Sequence, residues 1–189
     1  MSENAERAVA VLAVDGSPTA GGRTRAGLNA VSSAAGEAGA SVETITLGAD
    51  GAGVGPVIAA LDTADAVILA SPVYRASFAT PLKQLLDAIP RVGTDPPESP
   101  LTAKAVAVVY TGASLHHFLA LDSLRSVLAG FFAAHVVPPG LYLTRAAFDE
   151  DLELVDPYAG QAHLQGVALV ELARALRRSP VLRSLRPQA

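Results

Sequence analysis

Three short apolar runs, each broken by a Gly-, Ser- or Pro-containing segment, constrain this chain more than anything else in it: Ala8 to Val14, Ala66 to Ala70 and Ala105 to Tyr110. A strand with one wet face alternates apolar and polar residues, so an unbroken run of this length marks a strand covered on both faces. The first stops at Asp15-Gly16-Ser17-Pro18, the second at Ser71-Pro72-Val73-Tyr74 and the third at Thr111-Gly112-Ala113-Ser114. Helical spacing follows each stop. Leu28, Val31, Ala35 and Ala38 share one face of a helix over 24–39, closed by Gly39. A weaker helix over 53–64 holds Val57, Ile58 and Leu61, and Pro81 opens another that runs to Ile89. A long helix is expected over 117–134 and a last one over 161–178, with Leu164, Ala168, Leu172 and Leu176 on one face.

Ser41 to Leu47 reads as a shorter strand, and Val136-Val137 with Leu141 to Leu143 as an interrupted fifth. The stretch 91–101, with Pro96, Pro97 and Pro100, reads as a loop. Five strands alternating with five helices predict a parallel sheet between two helical layers, and right-handed crossovers leave few ways to build it. The expectation is a flavodoxin-like three-layer α/β sandwich with a five-stranded parallel sheet in the order 2-1-3-4-5. At 189 residues it would be a single domain, with a core of about 8–178 and a basic tail over 179–189.

Composition removes several function classes. The 14 Lys and Arg against 18 Asp and Glu leave a net charge of −4, the wrong sign for a dedicated nucleic-acid binder. Without cysteine there is no disulfide framework, thiolate metal site or cysteine nucleophile. No apolar stretch reaches the ~20 uncharged residues of a membrane span; that from Val54 to Tyr74 is interrupted by Asp62 and Asp65. The early charges are ordered wrongly for a signal peptide, so a cytoplasmic location is expected, with no membrane partner. The acidic segment 147–157 and the Arg-rich end (Arg174, Arg177, Arg178, Arg183, Arg186) read first as solvated surface, and Lys83 with Asp87 as a surface pair. His116 and His117 are adjacent, so they face different ways and have no carboxylate at ligand spacing; no metal is expected.

In a sheet of this type ligands lie at the carboxyl ends of the strands, near the switch in strand order. That rule selects the loops 16–23, 71–79 and 111–117. The first opens a helix, where outward N–H groups and the helix dipole favour an anion. Ser17 and Thr24 add hydroxyls and Arg23 a cation, while an ordinary turn capped by Thr24 is the plainer alternative. It matches neither the dinucleotide fingerprint nor the phosphate loop of nucleoside triphosphatases.

Taken together, the three loops resemble the NADPH-dependent FMN reductase family. Gly16-Ser17-Pro18-Thr19-Ala20-Gly21-Gly22-Arg23-Thr24 is similar to that family's loop for the FMN phosphate. Ser71-Pro72-Val73-Tyr74-Arg75-Ala76-Ser77-Phe78 is similar to its Pro-x-Tyr segment, and Thr111-Gly112-Ala113-Ser114 with His117-Phe118-Leu119-Ala120-Leu121-Asp122 to a stretch of its alkanesulfonate-system branch. The match runs in order from about residue 8 to about residue 150. The resemblance implies an NAD(P)H:FMN oxidoreductase that moves hydride from nicotinamide to flavin, with no catalytic side chain required. It implies that Ser17, Thr19, Gly22, Arg23 and Thr24 surround the FMN phosphate, that Pro72, Val73 and Tyr74 lie against the isoalloxazine, and that Gly112, Ala113 and Ser114 lie near its pyrimidine edge, with Thr111 also binding the cofactor. Arg75 would meet a nicotinamide dinucleotide phosphate, and Ser77 and His117 would complete the pocket.

Some positions depart from the family pattern. Gly22 stands where a phosphate-binding Ser is usual, Thr19 where a basic residue often lies and Ala113 in place of a second Gly; the first two imply a looser hold on phosphate. Asp122-Ser123-Leu124 lacks the Tyr that often follows the helix Asp in the alkanesulfonate branch, which implies a helix one residue shorter. The expected role is supply of reduced FMN, with a flavin-dependent monooxygenase as partner and NADPH or NADH as donor. The alternatives are a flavin-retaining quinone or azo reductase, a non-enzymatic flavin carrier, and a flavin-free binding protein on the same fold. Phe131-Phe132 is hard to bury twice in a chain this small, which predicts a subunit interface, with cover for the sheet's edge as the alternative; the resemblance implies a homodimer or homotetramer.

Overall fold

The computed structural model describes residues 7–91 and 99–187. Pro96 and Pro97 of the expected loop lie outside the described residues. Seven strands form one sheet: β1 (Val9–Asp15), β2 (Ala40–Thr46), β3 (Ala66–Tyr74), β4 (Ser77–Phe78), β5 (Ala105–Thr111), β6 (His135–Val136) and β7 (Leu141–Leu143). The order is β2-β1-β3-β5-β6; β7 also pairs with β5, and every pairing is parallel except the hairpin of β3 with β4.

The expected five-strand sheet in the order 2-1-3-4-5 is therefore corrected in two places. The chain turns straight back after β3, adding β4. The fifth parallel strand is two pieces, because Pro138 and Pro139 remove consecutive N–H donors between Val136 and Leu141. β3 also runs on through Pro72 to Tyr74 rather than stopping at Ser71. It can do so because β1 ends opposite Ala70, so Pro72 has only β5 beside it.

Helices α1 (Arg23–Glu37) and α5 (Tyr158–Arg178) cover one face of the sheet; α2 (Val54–Leu61), α3 (Thr80–Ala88) and α4 (Ala120–Ser126) cover the other. Alternate strand residues divide the core accordingly. Leu12, Val14, Val67, Leu69, Val106, Val108 and Tyr110 face α2, α3 and α4. The α1/α5 face is built largely from smaller residues, among them Ala13, Ala66, Ala70, Ala105 and Ala107. Small side chains let helices sit close. At Gly27 of α1 an added Cβ would lie 2.7 Å from Leu143 Cδ1 and 3.2 Å from Val109 Cγ1. That close approach fixes the start of α1 beside the carboxyl ends of β5 and β7, which is what assembles the site.

The helix expected over 117–134 is not one helix. A 3-10 turn over Leu115–His117 precedes α4, and α4 continues as a π-helical stretch, Val127–Phe131. The Phe132 N–H reaches back five residues to the Val127 carbonyl at 3.2 Å. The widened turn buries Phe132 and leaves Phe131 45% exposed, edge-to-face with it at 5.0 Å between centroids. The tail begins with a short helix, α6 (Pro180–Arg183), capped by the Ser179 hydroxyl, which accepts from Leu182 N–H. No helix among the described residues is long and apolar enough to cross a membrane.

Candidate functional site

The loop from Gly16 to Gly22 is shaped from below by Asp15, the last residue of β1. The Ser17 N–H donates to Asp15 Oδ1 at 3.0 Å, and Arg25 Nε lies 3.4 Å from Oδ2. Burial raises the Asp15 carboxyl pKa; the Ser17 N–H and the Arg25 charge only partly offset it. Asp15 is a functional candidate that reading the sequence as strand and turn overlooked; a carboxylate ending a fully buried strand was the available signal.

Above Asp15 the backbone is open. Helix α1 starts after Gly22 with no side-chain cap. The N–H groups of Gly21, Gly22, Arg23, Thr24 and Arg25 donate to no acceptor among the described residues, and nothing lies within 4 Å of a Cβ built on Gly21 or Gly22. Successive unpaired N–H groups at a helix start form a concavity for an anion. Ser17 is buried with its hydroxyl 3.3 Å from the Thr19 N–H, and Thr19 is exposed above it.

Thr24 is not the helix cap of the plainer alternative. Its hydroxyl is buried and hydrogen-bonded to the Thr111 hydroxyl at 2.6 Å, tying α1 to the end of β5. The pair is instead the strut between the first and third loops.

The second loop is a tight hairpin. Val73 pairs with Phe78 and Tyr74 with Ser77, and the turn residues Arg75 (φ 53) and Ala76 (φ 61) are both left-handed, as a type I′ hairpin turn requires. Neither is glycine, so the turn carries strain. Ser71 anchors its base, accepting the Ala79 N–H at 2.8 Å. Pro72 is buried, Val73 and Ser77 half-buried, Arg75 exposed and Tyr74 54% exposed at the tip of its strand.

The third loop is held by a residue that sequence reading missed, Tyr142 of β7. Its hydroxyl donates to the Ser114 carbonyl at 2.9 Å, and the Gly112 N–H donates to the Leu143 carbonyl at 2.9 Å. A Cβ on Gly112 would lie 1.9 Å from the Tyr142 hydroxyl oxygen. The N–H groups of Ala113 and Ser114 have no acceptor among the described residues. Burial raises the Tyr142 pKa, so it stays a donor at neutral pH. His116 and His117 are both exposed in the 3-10 turn that follows.

Strands β1, β3 and β5 are neighbours, so the three loops meet at one sheet edge. Beside them opens a cleft of about 1060 Å³ whose lining includes Arg23, Ser114, Thr144, Arg145 and Phe148. Of the expected site residues it takes in Arg23, Ala113 and Ser114; Tyr74 and His117 are not on its walls.

The family model described as NADPH-dependent FMN reductase matches residues 9–149, the stretch that contains all three loops. The chain belongs to the NADPH-dependent FMN reductase family. Among curated relatives, the NADH-dependent FMN reductase SfnF of Pseudomonas putida is 37% identical over 98 residues, 52% of this chain and 48% of that protein. An FMN reductase (NADPH) of Escherichia coli is 33% identical over 97 residues, 51% of this chain and 44% of that protein. The alignments thus span about half the length of the curated relatives. Over the whole fold, the apo form of an NADH:FMN oxidoreductase called EMOB superposes with a TM-score of 0.71 at 25% identity, covering 94% of this chain and 95% of that one. A WrbA-like flavodoxin from Agrobacterium tumefaciens gives 0.67 at 21% identity, covering 89% and 99%. The fold of this family member is flavodoxin-like.

Proposed function

We propose that the chain is an NAD(P)H-dependent FMN reductase that works in the cytoplasm and releases reduced FMN for a flavin-dependent monooxygenase. The observation that carries this reading is the row of unpaired N–H groups from Gly21 to Arg25, with open space at Gly21 and Gly22, on the same sheet edge as the unpaired N–H groups of Ala113 and Ser114. The donor set fits FMN: a nest for a phosphate at one end, apolar Pro72 and Val73, and the two free N–H donors of Ala113 and Ser114 for the polar edge of a flat ring. Family membership and relatives named as FMN reductases support the same reading.

Bound there, FMN would supply the hydride acceptor. The chain's own residues do the rest. Ser17 and the start of α1 hold the phosphate against the helix dipole. The Thr24–Thr111 strut and Tyr142 keep the first and third loops at fixed separation, so ring and phosphate are gripped together. Gly22 at the cap position contributes no side-chain donor, which favours FMN as an exchanging substrate over a retained cofactor.

Exposed Phe131, which with Phe78, Leu86 and Val127 lines an apolar depression, supports self-association into a dimer or tetramer. Sedimentation of the purified protein checks that part: a monomer at micromolar concentration overturns it.

The test of the main reading is oxidation of NADH and NADPH with and without free FMN. Turnover that requires added FMN is the expected result. Absence of turnover with either nucleotide, even with FMN present, overturns the reading; quinone reduction by protein that purifies yellow would replace it with a flavin-retaining reductase.

A further inference from the structure

The carboxyl group beneath the first loop has fewer partners than a buried charge requires. Asp15 extends the row of β1 residues Val11 and Ala13 that faces α1, and it is fully buried. Its Oδ1 accepts one hydrogen bond, from the Ser17 N–H at 3.0 Å, and its Oδ2 accepts none among the described residues. The cation beside it, Arg25, comes only to 3.4 Å of Oδ2 through Nε and gives Nη2 to the Thr46 hydroxyl at 2.9 Å. Arg25 also lines a groove with Asp151 and Glu153, so two carboxylates further out share its charge. The strands on either side present Thr46 of β2 and Ala70 of β3, neither of which titrates. Buried carboxylates are ordinarily paired and hydrogen-bonded at both oxygens.

This group underlies the row of open N–H donors. Arg25 belongs to both, with its N–H in the row and its side chain against Asp15. A phosphate monoester seated on the row adds up to about two negative charges. It does so where one carboxylate already has a single hydrogen bond and one cation within ion-pair distance. Like charges at close quarters make each other easier to protonate, and a neutral acid costs far less to bury than an anion. Burial already raises the Asp15 pKa before any ligand arrives.

We propose that Asp15 is a positioning residue that makes capture of the FMN phosphate proton-linked: Oδ1 holds the Ser17 N–H in place, and the carboxyl takes a proton from solvent as the phosphate settles on the start of α1. The inference rests on the FMN reductase reading and deepens it by naming what sets the strength of the grip on phosphate. Linkage is reciprocal, so protonated Asp15 binds FMN more tightly and ionised Asp15 lets it go. Affinity is therefore highest below the pKa of the carboxyl in the free protein and falls to a floor above its pKa in the complex. A grip loosened by an ionised carboxylate suits a flavin that exchanges.

The test titrates FMN and riboflavin into wild type and Asp15→Asn from about pH 5 to about pH 8.5, read by flavin fluorescence. Asn keeps an acceptor for the Ser17 N–H and removes the charge, so the variant should fold, and matching melting curves verify it. At the alkaline end the variant should bind FMN roughly ten-fold tighter than wild type, the equivalent of about one pKa unit of coupling, and the gap should close as pH falls. Riboflavin, which lacks the phosphate, should differ by less than about two-fold. Calorimetry in two buffers of different ionisation enthalpy should show wild type taking up more protons per FMN bound than the variant does. Equal FMN affinity in the two proteins across the range overturns the proposal, as does riboflavin tightening in step with FMN. Weaker FMN binding by the variant at every pH also overturns it, leaving Asp15 to hold the turn and nothing more. If neither protein binds FMN, the reductase reading falls and the proposal with it. If the gap appears but no nucleotide is oxidised with FMN present, the proton linkage stands and the reductase reading alone falls.

Discussion

The two edges of the same sheet are built to opposite rules. At the amino ends of the strands, Asp65 accepts from Arg7 at 2.8 Å, from the Ala10 N–H at 2.8 Å and from Arg177 Nε at 3.1 Å. Arg177 also reaches the Arg7 and Ala8 carbonyls, at 2.7 and 3.0 Å, and Lys104 donates to the Ala64 carbonyl. At the carboxyl ends, a row of N–H groups has no partner, two non-glycine residues are held left-handed and Tyr74 stands half in solvent. Polar groups that can be paired within a fold generally are. Open donors at one edge, beside the paired Asp65, Arg177 and Lys104 at the other, are what a ligand surface at the carboxyl ends would require.

The largest effect should come from the closed edge. The Asp65 and Arg177 side chains are 14% and 13% exposed, so Arg177→Ala takes the Arg177 hydrogen bonds from a nearly buried carboxylate that keeps only Arg7 and the Ala10 N–H, and should cost about 3 kcal/mol in urea denaturation. Flavin affinity of the folded fraction should not change, because the pair sits at the far end of the strands. Burial alone would raise the Asp65 pKa, but the Arg177 hydrogen bond, the Ala10 N–H and the Arg177 and Arg7 charges together lower it. A lowered carboxyl pKa contributes stability that is full above its unfolded value and lost as pH falls through the folded one. The gap between wild type and Asp65→Asn should therefore close on acidification below the ordinary carboxylate range. A gap that persists there would mean that charge is not what holds this edge.

Next in size, and at the open edge, is Gly112→Ala. Its Cβ would fall 1.9 Å from the Tyr142 hydroxyl oxygen and 2.6 Å from Cζ, so loop or ring must move. Overpacking of this kind costs about 1–3 kcal/mol. Unlike Arg177→Ala, it should also weaken FMN about ten-fold, since it displaces the Ala113 and Ser114 donors. Adding Tyr142→Ala should restore part of the lost affinity, a coupling that a double-mutant cycle measures. Additive losses would show that the two residues do not meet.

How far the sequence could be read differs between these edges for the same reason. Strands buried on both faces announce themselves as apolar runs, so β1, β3 and β5, the helical layers and the convergence of three loops were legible. The three loops were also legible as a family pattern, since backbone recognition constrains Gly, Pro and Ser positions. What was not legible depends on contacts between residues far apart in the chain. Thr24 looks like a helix cap until Thr111, 87 positions away, claims its hydroxyl. Tyr142 looks like a strand residue until it is found under Gly112. Arg177 looks like one of a solvated Arg run, yet it closes the amino edge through Asp65, 112 residues back. The hairpin of β4 was hidden because its turn residues, Arg75 and Ala76, are not the Asn and Gly that mark such turns.

A smaller effect separates the two hydroxyls of the first loop. Thr24→Val keeps the shape but leaves the buried Thr111 hydroxyl without its partner, and should cost about 1–2 kcal/mol of stability. Ser17→Ala should do the reverse, leaving the melting temperature nearly unchanged while weakening FMN several-fold by fluorescence titration. If Thr24→Val instead cuts FMN affinity more than Ser17→Ala does, the Thr24 hydroxyl leaves Thr111 for the phosphate on binding, and the strut is a resting arrangement.

The smallest change tests whether the open edge is strained for a purpose. Ala76 at φ 61 pays a penalty of about 1–2 kcal/mol that glycine avoids, against about 0.5–1 kcal/mol for the extra freedom glycine has when unfolded. Ala76→Gly should therefore stabilise the protein slightly, seen as a higher urea midpoint with an unchanged slope. The same variant should lower turnover with FMN, because a rigid hairpin is what presents Val73 and Tyr74 at a fixed height beside the third loop. No stabilising single change of that kind is expected at the Asp65–Arg177 pair of the amino edge, where removing either side chain takes hydrogen bonds from the other. A gain in stability with turnover untouched would mean that the hairpin's strain serves nothing at the site, and that Tyr74 lies beyond the edge of the bound ring.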